Sequence, residues 1–427
     1  GFLHEAIVTF TTAGQVQAGG KIVLVLPHLP DTGRGWRFQS PSVTFTAPSS
    51  GAPSASASFN SSLRTLTLTT AGATMAQATQ HAITISNVHT PSSIVDATTM
   101  QAMVLDSTDK SIDATSDMVV DQIAAGSFTG ARSFDTGTDT PGVKDTATLS
   151  FTPTGTIHVG GSIEIVMPAL TGLQSPWSFE TPSASWTTPS ADAATAESTT
   201  WDAGTRTLTI VVATNDVVMG AAQVIEIANA RTPSSIVNAS TVIVTSKDSR
   251  GKVIDGPTPM ATDAITAGAI SGSPRFETAT DTPGFKDSAT VSFTTAGQVQ
   301  AGGFVQLVMP DLSAGSALQS EWGFEVPAVS YAAPTSGAPS AIAFFNASAR
   351  TLTVATAGAT MSQSSQHVIT ITNVRTPSSI VGANQVRATT QDSAGRTIDT
   401  TTSMATDAIA AGALVSAELD ASTDTPG

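Results

Sequence analysis

The string Thr-Asp-Thr-Pro-Gly closes at Gly142, again at Gly284 and again at Gly427, at intervals of 142 and 143 residues. A period this long restricts the fold more than any local motif, because each copy must form one structural unit and all copies the same one. Gly1 is followed by Phe2-Leu3 much as Gly284 is followed by Phe285-Lys286, so it reads as the last letter of a further copy. Nothing at the start resembles a signal peptide, and the chain is expected to be processed or an excerpt.

Landmarks recur in register inside each copy. Ala6-Ile7-Val8-Thr9-Phe10 matches the segments beginning at Ala147 and Ala289, with apolar residues at every second position, the mark of a strand with one buried face. A Gly-Gly pair (Gly19, Gly160, Gly302 and the residue after each) turns the chain into an aliphatic run closed by Pro27, Pro168 or Pro310. Trp36-x-Phe38 recurs at Trp177 and Trp322, and is expected in the core rather than on a ligand platform. Thr-Pro-Ser-Ser-Ile-Val follows at Thr90, Thr232 and Thr376, then a hairpin turning at Asp106-Ser107, Asp248-Ser249 or Asp392-Ser393. Seven or eight short strands per copy, separated by Gly and Pro turns and without helical periodicity, predict an all-β fold. It consists of three tandem immunoglobulin-like β-sandwich modules of about 142 residues. The boundaries fall at 1–126, 127–268 and 269–412, with 413–427 left over.

Composition narrows the function. A net charge of −15 with 18 scattered basic residues argues against nucleic acid, and no apolar run reaches the roughly 18 residues of a membrane helix. Charged residues are only 12%, which leaves a neutral, hydroxyl-rich surface on β-structure. Without cysteine there is neither a disulfide framework nor thiolate chemistry. No nucleophile elbow, phosphate-cradling loop or catalytic carboxylate pair stands out, so no enzyme and no cofactor is expected.

Two patterns are candidate sites. Asp135 and Asp139, Glu277 and Asp281, Asp420 and Asp424 recur four apart before each Pro-Gly, with Asp121, Asp263 and Asp407 upstream. Such carboxylates suit calcium, which takes six to eight oxygens, but aspartate before Pro-Gly also suits a turn by bonding its own backbone. The sequons at Asn60, Asn238 and Asn346 would accept covalent glycans in a secretory compartment. The six histidines show no metal spacing and are expected at the surface or in strands.

Thr-Asp-Thr-Pro-Gly, Phe-Thr-Thr-Ala-Gly (Phe10 to Gly14, Phe293 to Gly297), Gly-Gly, an aliphatic strand and Met-Pro together resemble the tandem immunoglobulin-like modules of large bacterial and algal cell-surface proteins. Asn-Val-x-Thr-Pro-Ser at Asn87 and Asn373 fits the same pattern, whereas the middle copy departs with Asn229-Ala230. The resemblance implies fibres, pili, adhesin stalks or surface layers, an extracellular or cell-surface location and no catalytic residues.

The phase of the repeat adds a mechanism. A strand-like segment precedes each Thr-Asp-Thr-Pro-Gly and is expected to be the first strand of the following module. The first module lacks one, and 413–427 is a spare, with Ala413, Leu414, Val415, Leu419 and Pro426 as assembly residues. The expectation is a structural subunit whose partner is itself, a head-to-tail homopolymer built by strand addition or as a continuous array. An adhesin stalk binding a glycan or host ligand is the alternative, and it should show a divergent copy with exposed aromatics.

Overall fold

The computed structural model describes residues 3–312, 318–418 and 420. Among these there are strands and no helix. The alternating segments form strands because their apolar side chains all face one way. Ala147, Leu149 and Phe151 on Lys144–Thr152 are essentially inaccessible to solvent, while Thr148 and Ser150 between them are partly open. The Gly-Gly turn is restricted to glycine for two reasons. Its first residue has φ of 87°, 82° and 88° at Gly19, Gly160 and Gly302. At its second, a Cβ on Gly20, Gly161 or Gly303 would lie 2.9, 2.7 or 2.6 Å from a carbonyl oxygen of the neighbouring strand.

Each repeat encloses its own hydrophobic cluster between two facing layers of strands. In the first repeat one sheet joins Leu3–Thr11, Gln80–His89, Arg37–Phe38 and Val43–Ala47. The other orders Ser54–Asn60, Thr65–Ala71, Lys21–Val25, Thr98–Leu105 and Ser111–Val120. That makes nine strands in the first repeat, more than the seven or eight expected, because Trp-x-Phe starts a short strand of its own.

The middle repeat joins its two layers into a closed ring. Thr129–Thr136 pairs antiparallel with Lys144–Thr152 on one side and parallel with Val253–Thr262 on the other. Ser271–Thr278 does the same in the third repeat, between Lys286–Thr294 and Thr397–Thr406. No described strand does this in the first repeat, and its two sheets remain separate along that side.

Candidate assembly site

The inserted strand and the residue just before it fill the core with one side chain each. Phe128 packs edge-on against Phe151 with ring centroids 5.0 Å apart, and Phe134 stands edge-on to Trp177 and Phe179 at 6.1 and 6.5 Å. Both phenylalanines are about 1% exposed. The third repeat repeats the arrangement with Ile270 and Phe276, the latter 5.5 Å from Trp322 and 6.3 Å from Phe324. The Trp-x-Phe pairs are therefore core residues, buried in the last two repeats.

In the first repeat the same walls stand open. Phe10, Trp36, Phe38 and Met118 are only half buried, whereas Phe151, Trp177, Phe179 and Met260 are buried. Two cavities lie along the gap. One of about 450 Å³ is lined by Leu26, Trp36, Phe38, Ile85, Val88 and Met100, where Phe134 sits in the middle repeat. The other, about 110 Å³, is lined by Phe10, Ile22, Leu24 and Val104, where Phe128 sits. Ile7 and Val119, on the two strands flanking the gap, are each 70% exposed.

The carboxyl-terminal segment carries matching residues. Counted from the glycine that opens each connector (Gly126, Gly268, Gly412), Leu414 stands where Phe128 and Ile270 stand, and Leu419 corresponds to Phe134 and Phe276. The segment is one residue shorter at the bulge, where Gly130 and Gly272 have φ of 67° and 74°. Residues 413–418 and 420 belong to no strand, and Leu414 and Val415 are 92% and 84% exposed. Leu419, Asp424 and Pro426 lie outside the described residues.

Two buried aspartates, read above as turn residues, do more than shape a hairpin. Asp248 holds its own turn through Oδ1, which accepts the Arg250 and Lys252 N–H groups, while Oδ2 reaches into the preceding repeat. There Oδ2 accepts the Gly33 N–H (2.7 Å) and the hydroxyls of Ser92 (3.1 Å) and Ser93 (2.7 Å). Those bonds hold its carboxyl below the usual aspartate range against the opposing effect of burial. Asp392 makes the same reach to the Ser234 hydroxyl at 3.3 Å. The signal was in the sequence, since Asp-Ser and Thr-Pro-Ser-Ser recur with the full period, but nothing local says that they meet across a junction.

The acidic candidates divide by repeat. Asp135, Asp139 and Asp263 come together with oxygens within 4.8 Å of one another. Burial, a hydrogen bond to Asp263 and the neighbouring negative charges push the Asp135 carboxyl upward. In the third repeat Arg275 occupies this place, pairing with Glu277 (2.9 Å) and Asp407 (3.2 Å), while Asp281 accepts the Thr278 hydroxyl. Asp420 is exposed. Among the described residues the trio could offer oxygens to a hard cation in the middle repeat, whereas a guanidinium answers the charge in the third.

Asn60, Asn238 and Asn346 are all exposed. Asn60 and Asn346 end equivalent strands, each with Oδ1 accepting the hydroxyl of its own sequon serine at 2.7 Å. The aromatics peculiar to the middle repeat are not a surface patch. Trp186 is 9% exposed and the half-buried Trp201 packs on Phe179 at 4.9 Å. The histidines at the repeated position lie in strands, as expected, but face inward: His81 and His367 are 1% exposed, packed between aromatic rings.

No family model matches the chain, and no curated protein matches it. Among solved structures it is similar to the Escherichia coli adhesin FdeC, at 16% identity over 94% of this chain and 95% of that one, with a TM-score of 0.18. The C-terminal domain of the Streptococcus pyogenes antigen I/II-family protein AspA gives 9% identity, 73% and 99% coverage and a TM-score of 0.22. A type II cohesin dyad of the Acetivibrio cellulolyticus scaffoldin ScaA gives 10%, 63% and 95%, and 0.18.

Proposed function

We propose that the chain is a structural subunit of an extracellular or cell-surface filament, built from immunoglobulin-like modules joined head to tail. One observation carries the reading: the first repeat has an open groove where each of the other two holds a strand, and the carboxyl-terminal segment has the residues of such a strand. Insertion would bury Leu414 and Leu419 against Phe10, Trp36 and Phe38, at roughly 1.5–3 kcal/mol for each side chain taken fully out of water. It would also pair the backbone along both flanking edges, which otherwise invite indiscriminate association. Donor and acceptor are different surfaces, so the contact propagates instead of closing into a dimer. A continuous tandem array would place the same segment in the same groove with a peptide bond between units.

The exposed sequons and the low-charge, hydroxyl-rich surface accord with a secreted fibre carrying covalent glycans. Calcium, if bound, would serve the Asp135 trio at one connector and is not needed for the strand to insert.

The purified 427-residue chain is expected to form filaments by negative-stain electron microscopy and to sediment far above 43.2 kDa. Leu414→Asp with Leu419→Asp should leave monomers, because a carboxylate cannot be seated in the apolar groove. A parent chain that stays dispersed and monomeric at high concentration counts against strand complementation.

A further inference from the structure

The two internal junctions are not chemically alike. At the second, Gln174 Nε2 donates to the Ala301 carbonyl (2.8 Å), and Gln174 Oε1 accepts the Ser393 N–H (3.0 Å). The Ser175 hydroxyl donates to Gln300 Oε1 at 2.8 Å. Gln363 takes both backbone groups of Lys144, accepting the N–H at 2.7 Å and donating to the carbonyl at 3.2 Å. The first junction has Gly33-Arg34 where the second has Gln174-Ser175. Across from them it has His158, Val159 and Met219 where the second has Gln300, Ala301 and Gln363.

The outer faces of the molecule repeat one of these patterns and not the other. On the first repeat, Gln17, Ala18, Gln77, Asp106 and Ser107 reproduce Gln300, Ala301, Gln363, Asp392 and Ser393 identity for identity. On the third, Lys286, Gln319, Ser320 and Ser378 reproduce Lys144, Gln174, Ser175 and Ser234. Each outer face thus carries the half of the second junction that the other lacks.

Both halves are already formed. Ser378 accepts the Gln319 and Ser320 N–H groups at 3.0 Å, as Ser234 accepts the Ser175 N–H at 3.0 Å. Asp106 Oδ1 holds its turn by accepting the Thr108 and Lys110 N–H groups, and Oδ2 takes no bond from the described residues. The burial lost at the ends has the same pattern. Gln17 and Gln77 are exposed where Gln300 and Gln363 are half buried, and Phe285 is 46% exposed where Val143 is 7%.

The geometry points to a second copy of this chain as the partner of both faces, docked with its first repeat on the third repeat of its neighbour through the bonds of the second junction. Gln319 then bonds Ala18 and Ser107, Ser320 bonds Gln17, Gln77 spans the backbone of Lys286, and the Ser378 hydroxyl donates to Asp106. This rests on the filament reading and adds the identity and register of the partner: units join in the order one-two-three-one, since the Gly33-Arg34 face fits neither end. The contact is made of neutral amides and hydroxyls apart from Asp106, so it selects by shape and hydrogen-bond pattern more than by charge.

The chain has no cysteine, so engineered thiols report the contact without background. Ser107→Cys in one preparation and Gln319→Cys in another are mixed and mildly oxidised. The expected result is a disulfide-linked species of twice the chain mass that forms faster in the mixture than in either preparation alone. No acceleration in the mixture overturns the proposal. Microscopy of the same samples separates it from the filament reading. Filaments without this cross-link overturn the interface and leave strand complementation standing, whereas the cross-link without filaments supports the interface and overturns the strand mechanism. A second variant tests the register. Gln319→Gly with Ser320→Arg rebuilds the Gly33-Arg34 face on the third repeat, and should slow elongation about tenfold or more through the lost side-chain hydrogen bonds. Unchanged elongation would rule the register out.

Discussion

His81 and His367 are among the few ionisable side chains placed inside a core. Burial lowers the affinity of both rings for a proton. The unfolded chain takes that proton as pH falls through about 6.5, while the folded state does not until lower pH. The contribution of each ring to stability is therefore full above about pH 6.5 and falls below it, by at most about 1.4 kcal/mol per pH unit for each histidine, while in the third repeat the buried Asp399 carboxyl, pushed up to about 6, works in the opposite sense. The middle repeat has Gln223 at this position, its amide donating to the Ala221 carbonyl at 3.2 Å, and there only His158, on the junction side, has its proton affinity lowered by burial. Denaturant titrations between pH 7 and pH 5 should show the slope in the parent chain and a shallower one in His81→Gln with His367→Gln, where His89 and His158 still contribute. Sequence placed these residues in strands but not inside, because a histidine at an alternating position looks the same facing either way. Burial was decided by Phe293 and Tyr331 closing over His367, and by Phe10 and Phe45 over His81.

At the scale of the element, the strand-like segments before the first two Thr-Asp-Thr-Pro-Gly strings were legible as strands and even as the first strand of the following repeat, whereas residues 413–418 and 420 before the third form none. What it touches was not. Phe134 sits against Trp177 and Phe179, and its strand pairs with Lys144–Thr152 on one side and Val253–Thr262 on the other, so it links the two sheets. Phe134→Ala should destabilise the middle repeat by about 3–5 kcal/mol, the usual range for emptying a buried phenylalanine site. The direct comparison is Thr136→Ala at the end of the same strand, expected to be far milder; calorimetry on the two variants checks the difference. The tail tests the same packing in reverse. Its one-residue shortening removes a step of the bulge, and Leu414 and Leu419 are smaller than the two phenylalanines. The tail is thus a lighter wedge for the groove than the strand of the middle repeat is for its own core.

For the whole molecule, an inserted strand links the two layers of the middle repeat and of the third, and no described strand does so in the first. Exposed Ile7 and Val119 and the half-buried Trp36 and Phe38 mark the first repeat as the least stable of the three. A dispersed chain should unfold in steps with that repeat leading, followed by hydrogen exchange in Leu3–Thr11 and Ser111–Val120. Assembly should remove the early step, since a ligand that binds only the folded state raises its apparent stability by mass action. A first repeat that melts with the others in the dispersed chain would show that the open groove carries no penalty.

The sequence by itself determined the period, the strand character of the alternating segments within the repeats, the turns that only glycine can make, and the core position of Trp-x-Phe. These follow from local sterics and from side-chain alternation, which need no knowledge of neighbours. Only the tertiary structure decided which groups face one another across a junction. The reach of Asp248 to Ser92 and Ser93, the arginine that answers the acidic cluster in the third repeat alone, and the match of the outer faces to the second junction all join residues far apart in the chain. Their contacts depend on how one rigid unit sits on the next, a relation that strand alternation does not encode.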